Sequence, residues 1–520
     1  TGRTYKLFDY VGAKDAERVV CIMGSGGDTM HEVVEHMVEK GEKVGVLKVR
    51  LYRPFSADHL VKALPATVKA IAVMDRTKEP GAGGEPLYLD IRNGIGEALE
   101  RKVAPFKSWP KVIGGRYGLG SKDFTPAQCV AIFDNLKQAE PKNHFTVGIN
   151  DDVTHTSIKV GDVIETSDPS TYAAKFYGLG SDGTVGANKD SIKIIGHETD
   201  NYAQAYFVYD SKKSGSVTTS HLRFGKKPLR CPYLITQADF IACHLFSFLE
   251  KLDILADLKT GGTFLLETAH PADKVWDHLP VEVQQQLIDK KAKFYVIDAC
   301  KHAEELGLGS RINILMQTAF FEISKSKILP REVYTKAIKE AVKKTYGKKG
   351  EEIVKMNCAA VDRAIENLHE VKIPAKATSK LKRHDAVSKD APKFVREVLA
   401  PMMIGKGDDL PVSKMPVDGT FPSGTTQWEK RNITTTIPAW DEKTCIQCGM
   451  CSLVCPHAAI RIKAYDPKHL IGAPKAFKSV DAKGIKDMKF TVQVAPEDCT
   501  GCGACVYICP AHQKDAAGQK

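Results

Sequence analysis

The sequence predicts an α/β multidomain protein that closes with a small cysteine-rich module. Three observations predict it. Apolar strands alternate with amphipathic helices in two stretches, Arg18 to Asp75 and Ala173 to Val342, which implies parallel sheets covered on both faces. Between about 374 and 436 the periodicity gives way to a run rich in Pro, Gly, Lys, Ser and Thr. Beyond it, eight of the 14 cysteines crowd between Cys445 and Cys509.

The first stretch reads strand, glycine turn, helix, strand. Arg18–Met23 is β-rich, and Gly24-Ser25-Gly26-Gly27 breaks it. Asp28 is placed to cap a helix whose apolar positions Met30, Val33, Val34, Met37 and Val38 follow helical spacing, with Gly41 as its stop. Strands are expected at Lys43–Leu51 and Ala70–Asp75. The second stretch offers strands at Ala173–Tyr177, Ala205–Tyr209, Gly262–Leu266 and Lys293–Ile297. It ends in a helix with Tyr334, Ala337, Ile338, Ala341 and Val342 on one face and a solvated lysine face opposite, stopped by Gly347. Residues 374–436 are expected to form a long linker or wrap-around arm.

Composition bounds the function. At 520 residues, 43% hydrophobic and 26% charged, the chain is folded globular material with room for about three or four domains. The most apolar run, Phe240–Leu249, falls short of the roughly 18 residues a membrane helix needs. The opening TGRTYKLFDY has neither a secretory signal nor an initiator Met, and is read as the start of a piece of something longer. A formal charge of +11 favours acidic partners without choosing among them. The basic residues lack interleaved aromatics, so no nucleic acid is expected as a partner; with no apolar run of spanning length, no membrane is expected either. The six scattered cysteines, Cys21, Cys129, Cys231, Cys243, Cys300 and Cys358, read as reduced thiols rather than a disulfide framework.

The strongest signal is repeated. Cys445, Cys448, Cys451 and Cys455 are spaced x2, x2, x3 and followed by Pro456; Cys499, Cys502, Cys505 and Cys509 repeat that spacing before Pro510. This is the two-cluster ferredoxin pattern, in which three near thiolates hold one [4Fe–4S] cube and the fourth ligates the other. The expected sets are therefore Cys445, Cys448, Cys451 with Cys509, and Cys499, Cys502, Cys505 with Cys455. Zinc knots use two separated pairs, which this spacing does not offer. The tight spacing should turn backbone N–H groups toward the sulfurs. Eight thiolates and two oxidised cores of charge +2 carry about −4, leaving the loaded chain near +7. The intervening segment, Arg461–Asp498, reads as an exposed lysine-bearing excursion.

A second signal is the loop Gly178-Leu179-Gly180-Ser181-Asp182-Gly183, which follows a strand and opens a helix. Gly178, Gly180 and Gly183 match GxGxxG, whose N–H groups can approach a pyrophosphate. The next strand ends at Asp210, but Lys212, Lys213, Arg223, Lys226, Lys227 and Arg230 follow. That cluster suits an extra phosphate, as in NADP or coenzyme A; a structural turn beside a solvated basic hairpin is the alternative. Met23–Gly27 is expected to be a sheet-to-helix turn, and Lys78–Glu85 an exposed loop. Asp151-Asp152 has nothing to pair it into an acid/base site.

Four blocks in order, TYKLFDYVGAKDAERVVCIMGSG, KFYGLGSDGTVGANKD, DGTFPSGTTQWEKRNI and the two cysteine runs, closely resemble pyruvate:ferredoxin (flavodoxin) oxidoreductase of the single-chain type. The resemblance covers essentially the whole chain. It implies a central fragment of a subunit about twice as long, lacking both thiamine diphosphate-binding domains. With them would go Mg²⁺, a third [4Fe–4S] cluster and the closing strand of the ferredoxin domain. It implies that 1–157 is a transketolase C-terminal-like α/β domain and 173–372 a γ-type Rossmann-like domain with a coenzyme A site. Residues 373–434 would be a linker, and 435–520 an α+β ferredoxin-like domain with two clusters. The coenzyme A residues implied are Gly178, Gly180, Gly183, Lys212, Lys213, Arg223 and Asn313. The full protein would oxidise pyruvate to acetyl-CoA and CO2 and reduce ferredoxin or flavodoxin, as a homodimer; the fragment alone would be inactive. A pyruvate:NADP oxidoreductase fragment and a non-catalytic iron–sulfur electron-transfer subunit are the rivals. A cytoplasmic site is expected, with an organelle such as a hydrogenosome left open.

Overall fold

Three sheets organise the chain in a computed structural model that describes residues 2, 4–180, 182–209, 215–309, 311–434 and 436–511. The first holds β1 (Phe8–Gly12), β2 (Arg18–Met23), β3 (Val44–Val49), β4 (Ala70–Asp75), β5 (Lys111–Arg116) and β6 (Phe145–Thr146), in the order β1-β3-β2-β4-β5-β6. All neighbours are parallel except β1, which runs antiparallel to β3. β2 and β4 are central and buried on both faces, which is why they read as unbroken apolar runs. Val20 and Ile22 enter one core layer, Val19 and Cys21 the other. The helix Gly26–Glu39 follows β2 as expected, but Ser25 is its N-cap residue. Asp28 lies inside the first turn instead, where its carboxylate accepts from Lys48 Nζ at 2.8 Å. Gly26 is required there: a Cβ would come within 2.8 Å of the Tyr117 ring.

The second sheet holds β7 (Tyr172–Leu179), β8 (Tyr202–Tyr209), β9 (Val217–Gly225), β10 (Ala238–Cys243), β11 (Leu258–Glu267), β12 (Lys293–Ile297) and β13 (His369–Val371). Their order is β13-β12-β11-β10-β7-β9-β8. β7, β10, β11 and β12 are parallel. The simple Rossmann-like arrangement is modified at both edges: β9 runs antiparallel between β7 and β8, and β13 antiparallel along β12. An aromatic core supports the sheet. The rings of Phe176 and Phe240 each lie 5.0 Å from Phe320, at the centre of the buried helix Asn313–Ser324. The helix Arg331–Tyr346 buries Tyr334, Ile338 and Val342, the face expected from their spacing. The segment Phe240–Leu249 is not a helix but β10 and a 3-10 turn.

The two α/β units meet at Glu32. Its carboxylate accepts from Thr166 Oγ1 at 2.6 Å and from the buried Tyr233 hydroxyl at 2.5 Å. Residues 373–434 form few regular elements and clasp all three parts. Val281 N–H donates to Leu381 O, Val412 N–H to Asn150 O, and Arg431 and Asn432 N–H to Glu497 O. The third sheet, β14 (Ile460–Tyr465), β15 (Val480–Asp481) and β16 (Lys489–Val494), is antiparallel in the order β14-β16-β15. Among the described residues no helix is long and apolar enough to cross a membrane.

Candidate metal centre

Each cysteine run folds as a loop and a short helix. Gln447 and Gly501 occupy the same place in the two runs and share a positive φ, +63° and +69°. Gly449 and Gly503, both at φ +73°, then open the helices Met450–Val454 and Ala504–Ile508. A positive φ turns the N–H inward, and the fixed x2 spacing makes that turn recur. Gln447 N–H donates to Cys445 Sγ at 3.3 Å, and Gly501 N–H to Cys499 Sγ at 3.4 Å. At the helix end, burial works against the Cys455 thiolate. N–H groups of His457, Ile460, Ala459 and Ala458 more than offset it and hold its pKa below that of an ordinary cysteine. Burial raises Cys451 and Cys505.

The two helices pack on each other, and the fourth cysteine of each run lines the cavity of the other run. A cavity of about 300 Å³ is lined by Cys445, Cys448, Cys451, Cys505 and Cys509. A second, of about 150 Å³, is lined by Cys455, Cys499, Cys502 and Cys505. Their remaining walls include Ile460, Val506 and Pro438, common to both, and Trp440, Phe490 and Val492 around the first. Among the described residues no three His, Cys, Asp or Glu side chains converge on a single-ion position. The thiols instead ring two adjoining apolar spaces. Four soft sulfur donors around an apolar space, with N–H groups aimed at the sulfurs, fit a polynuclear iron–sulfur group.

The glycine loop lies at the carboxyl end of β7, where ligands of parallel α/β sheets bind. Much of its donor capacity is spent internally. Asp182 accepts from Leu179 N–H at 2.8 Å and Thr184 N–H at 2.7 Å, and Gly180 N–H donates to Ser216 O at 2.8 Å. Thr184 Oγ1 also lies 2.7 Å from Nδ1 of the buried His244. Asp182, Thr184, His244 and Ser216 were not among the expected site residues; the Asp at the head of a helix was the one local signal for them. Gly178 packs on Thr184, and Gly183 on Asn313, where a Cβ would stand 3.0 Å from Asn313 Cγ. Gly183 and Asn313 are thus brought together across 130 residues.

Arg223 is not brought to this loop. β9 pairs it with Ala173, five residues back along β7 from Gly178, or about 17 Å at 3.4 Å per residue. Its buried guanidinium donates to the carbonyls of Cys231 at 3.2 Å and Tyr233 at 2.8 Å. It braces the segment after β9. Lys212 and Lys213 lie outside the described residues, as does Asp210. Asp151 accepts from Thr154 and Thr156, and Asp152 from Ser413, so the pair builds a turn rather than an acid/base site.

An α/β chain that ends in a paired cysteine module of this geometry defines the iron–sulfur oxidoreductase class. Residues 173–367 match the family Pyruvate ferredoxin/flavodoxin oxidoreductase, and 16–126 match Pyruvate:ferredoxin oxidoreductase core domain II. Residues 444–512 match the 4Fe-4S dicluster domain, and 380–434 a domain of unknown function. The chain belongs to the pyruvate:ferredoxin (flavodoxin) oxidoreductase family. It is 55% identical to the pyruvate-flavodoxin oxidoreductase of Nostoc sp., with 100% of this chain and 44% of that protein aligned. It is 54% identical to the pyruvate:ferredoxin oxidoreductase of Moorella thermoacetica, with 99% of this chain and 43% of that protein aligned. It therefore spans under half the length of these relatives. A solved pyruvate oxidoreductase subunit from Thermotoga maritima covers 39% of this chain, and 99% of that subunit, at 17% identity and a TM-score of 0.31.

Proposed function

We propose that this chain forms the electron-transferring central part of an enzyme that oxidises pyruvate to acetyl-CoA and CO2 and reduces ferredoxin or flavodoxin. One observation supports the reading: eight cysteines line two adjoining cavities, with Cys509 among those of the first run and Cys455 among those of the second, and Cys505 lining both. Cys445, Cys448, Cys451 and Cys509 are the ligands of one [4Fe–4S] cluster, and Cys499, Cys502, Cys505 and Cys455 of the other. When bound, the clusters supply one-electron transfer at low potential. The chain's own residues hold the thiolates, stabilise them with N–H groups and exclude water behind apolar walls. Thiamine diphosphate, Mg²⁺ and a third cluster belong to parts of the protein outside this chain, and the whole enzyme is a cytoplasmic homodimer.

The coenzyme A site is assigned to the carboxyl edge of the second sheet. Gly178, Gly180, Gly183 and Asn313 form its floor. The phosphates fall to Lys212 and Lys213, because N–H groups of Leu179, Gly180 and Thr184 already have acceptors. Arg223 takes no part.

Oxygen-free reconstitution with iron and sulfide tests the redox half. About eight irons per chain are expected, with a low-temperature EPR spectrum of two interacting reduced cubes. Stoichiometric zinc uptake without iron, or a single cluster, would refute it. For the other half, Lys212→Ala/Lys213→Ala should weaken coenzyme A binding at low salt by about tenfold or more; unchanged affinity removes the site.

A further inference from the structure

The two halves of the cysteine module match in the backbone donors they aim at sulfur. Gln447 N–H reaches Cys445 Sγ at 3.3 Å and Gly501 N–H reaches Cys499 Sγ at 3.4 Å, so these bonds favour neither half. The walls differ. The arm residues Thr436 and Ile437 line the second cavity, whereas Trp440 lines the first.

Trp440 is fixed in that wall. Its ring stands edge-on to Phe490, which is buried on β16, with centroids 6.2 Å apart and planes at 68°. Its carbonyl accepts from Lys478 Nζ at 2.9 Å, and the carbonyl of the next residue, Asp441, accepts from Cys445 N–H at 3.2 Å. The segment between the runs is tied to the same loop. Gln447 Nε2 donates to Asp481 O and its Oε1 accepts from Lys483 N–H, each at 2.8 Å.

The indole Nε1–H of Trp440 is nevertheless buried without an acceptor. Among the described residues 436–511 no other buried side-chain nitrogen or oxygen is left so. A donor that has given up water and gained no partner carries an unmet cost. Its apolar neighbours in the wall, Ile460, Phe490 and Val492, offer no acceptor. The group that fits the thiolates brings acceptors, because its sulfides and ligating sulfurs carry negative charge.

We propose that Trp440 Nε1–H donates a hydrogen bond to a sulfur of the first cluster and raises the reduction potential of that cluster. A donor at sulfur stabilises the reduced form, with its extra negative charge, more than the oxidised form. The second cavity has no indole in its wall, so the effect is one-sided and biases an electron shared by the pair toward the first cluster. The inference rests on the two-cluster reading above.

The test is an oxygen-free redox titration of the reconstituted full chain, followed by low-temperature EPR. Trp440→Phe keeps an aromatic ring against Phe490 and removes the N–H. About eight irons per chain should be retained. One of the two midpoints should fall by about 59 mV, a tenfold loss in the affinity of that cluster for an electron. In the Cys455→Ala background, which removes a ligand of the second cluster, the remaining cluster should show the whole fall. In the Cys509→Ala background it should show none. A second measurement needs no substitution: with the indole nitrogens isotopically labelled, pulsed EPR of the reduced, unaltered chain should show coupling of one such nitrogen to a cluster. Unchanged midpoints, a fall shared equally by both clusters, or absence of that coupling overturns the assignment. Failure of the unaltered chain to take up about eight irons would instead overturn the two-cluster reading.

Discussion

Replacing Cys455 with alanine is expected to remove the cluster held by the second run and leave that of its own run. Cys455 ends the helix Met450–Val454 with ψ 113°, which carries it out of the first loop and into the wall of the cavity ringed by Cys499, Cys502 and Cys505. Cys509 ends the helix Ala504–Ile508 with ψ 120° and crosses the other way. Iron should fall from about eight to about four per chain in either single variant. Pairs of changes distinguish crossed from uncrossed ligation. Cys455→Ala/Cys502→Ala should lose no more iron than Cys455→Ala, because both side chains serve one cluster. Cys455→Ala/Cys448→Ala should lose nearly all of it. The opposite pattern, with the 455/448 pair retaining half, would show that each run closes on itself.

That crossing was legible in the sequence because spacing alone constrains it. A run of x2, x2, x3 leaves the fourth thiol a helix turn beyond the first three. Alternation also disclosed β2, β4, β11 and β12, whose apolar residues are buried on both sides. Other features left no local trace. β9, VTTSHLRFG, carries Thr, Ser, His and Arg that are nearly all buried, so its polarity concealed a strand paired on both sides. Its insertion displaced β8 from β7. It also turned Arg223 inward to two carbonyls, where sequence showed a cation but not its direction. The clasp of Gln447 on Asp481 and Lys483 joins residues more than 30 apart, and only the folded chain displays it.

Gly501→Ala should destabilise the second cluster through its neighbour more than through its own backbone. The conformation at φ +69° costs a side chain roughly 1–2 kcal/mol, and the first run bears a comparable cost at Gln447 with φ +63°. What differs is Thr434. A Cβ on Gly501 would stand 2.4 Å from its Oγ1, which also accepts from Thr436 N–H at 3.2 Å and donates to Thr436 O. The arm must therefore lift from the loop or the loop must open around Cys499 and Cys502. Iron of the second cluster should be lost to a chelator, in the absence of oxygen, about ten times faster than in the unaltered chain, with the first cluster retained. Thr434→Ala leaves only its Cβ, 3.4 Å away, an ordinary contact distance. In that background Gly501→Ala should cost only the backbone term and restore most of the retention. Chelation equally fast with and without Thr434→Ala would place the fault in the backbone conformation and exclude the arm as a support of the second cavity.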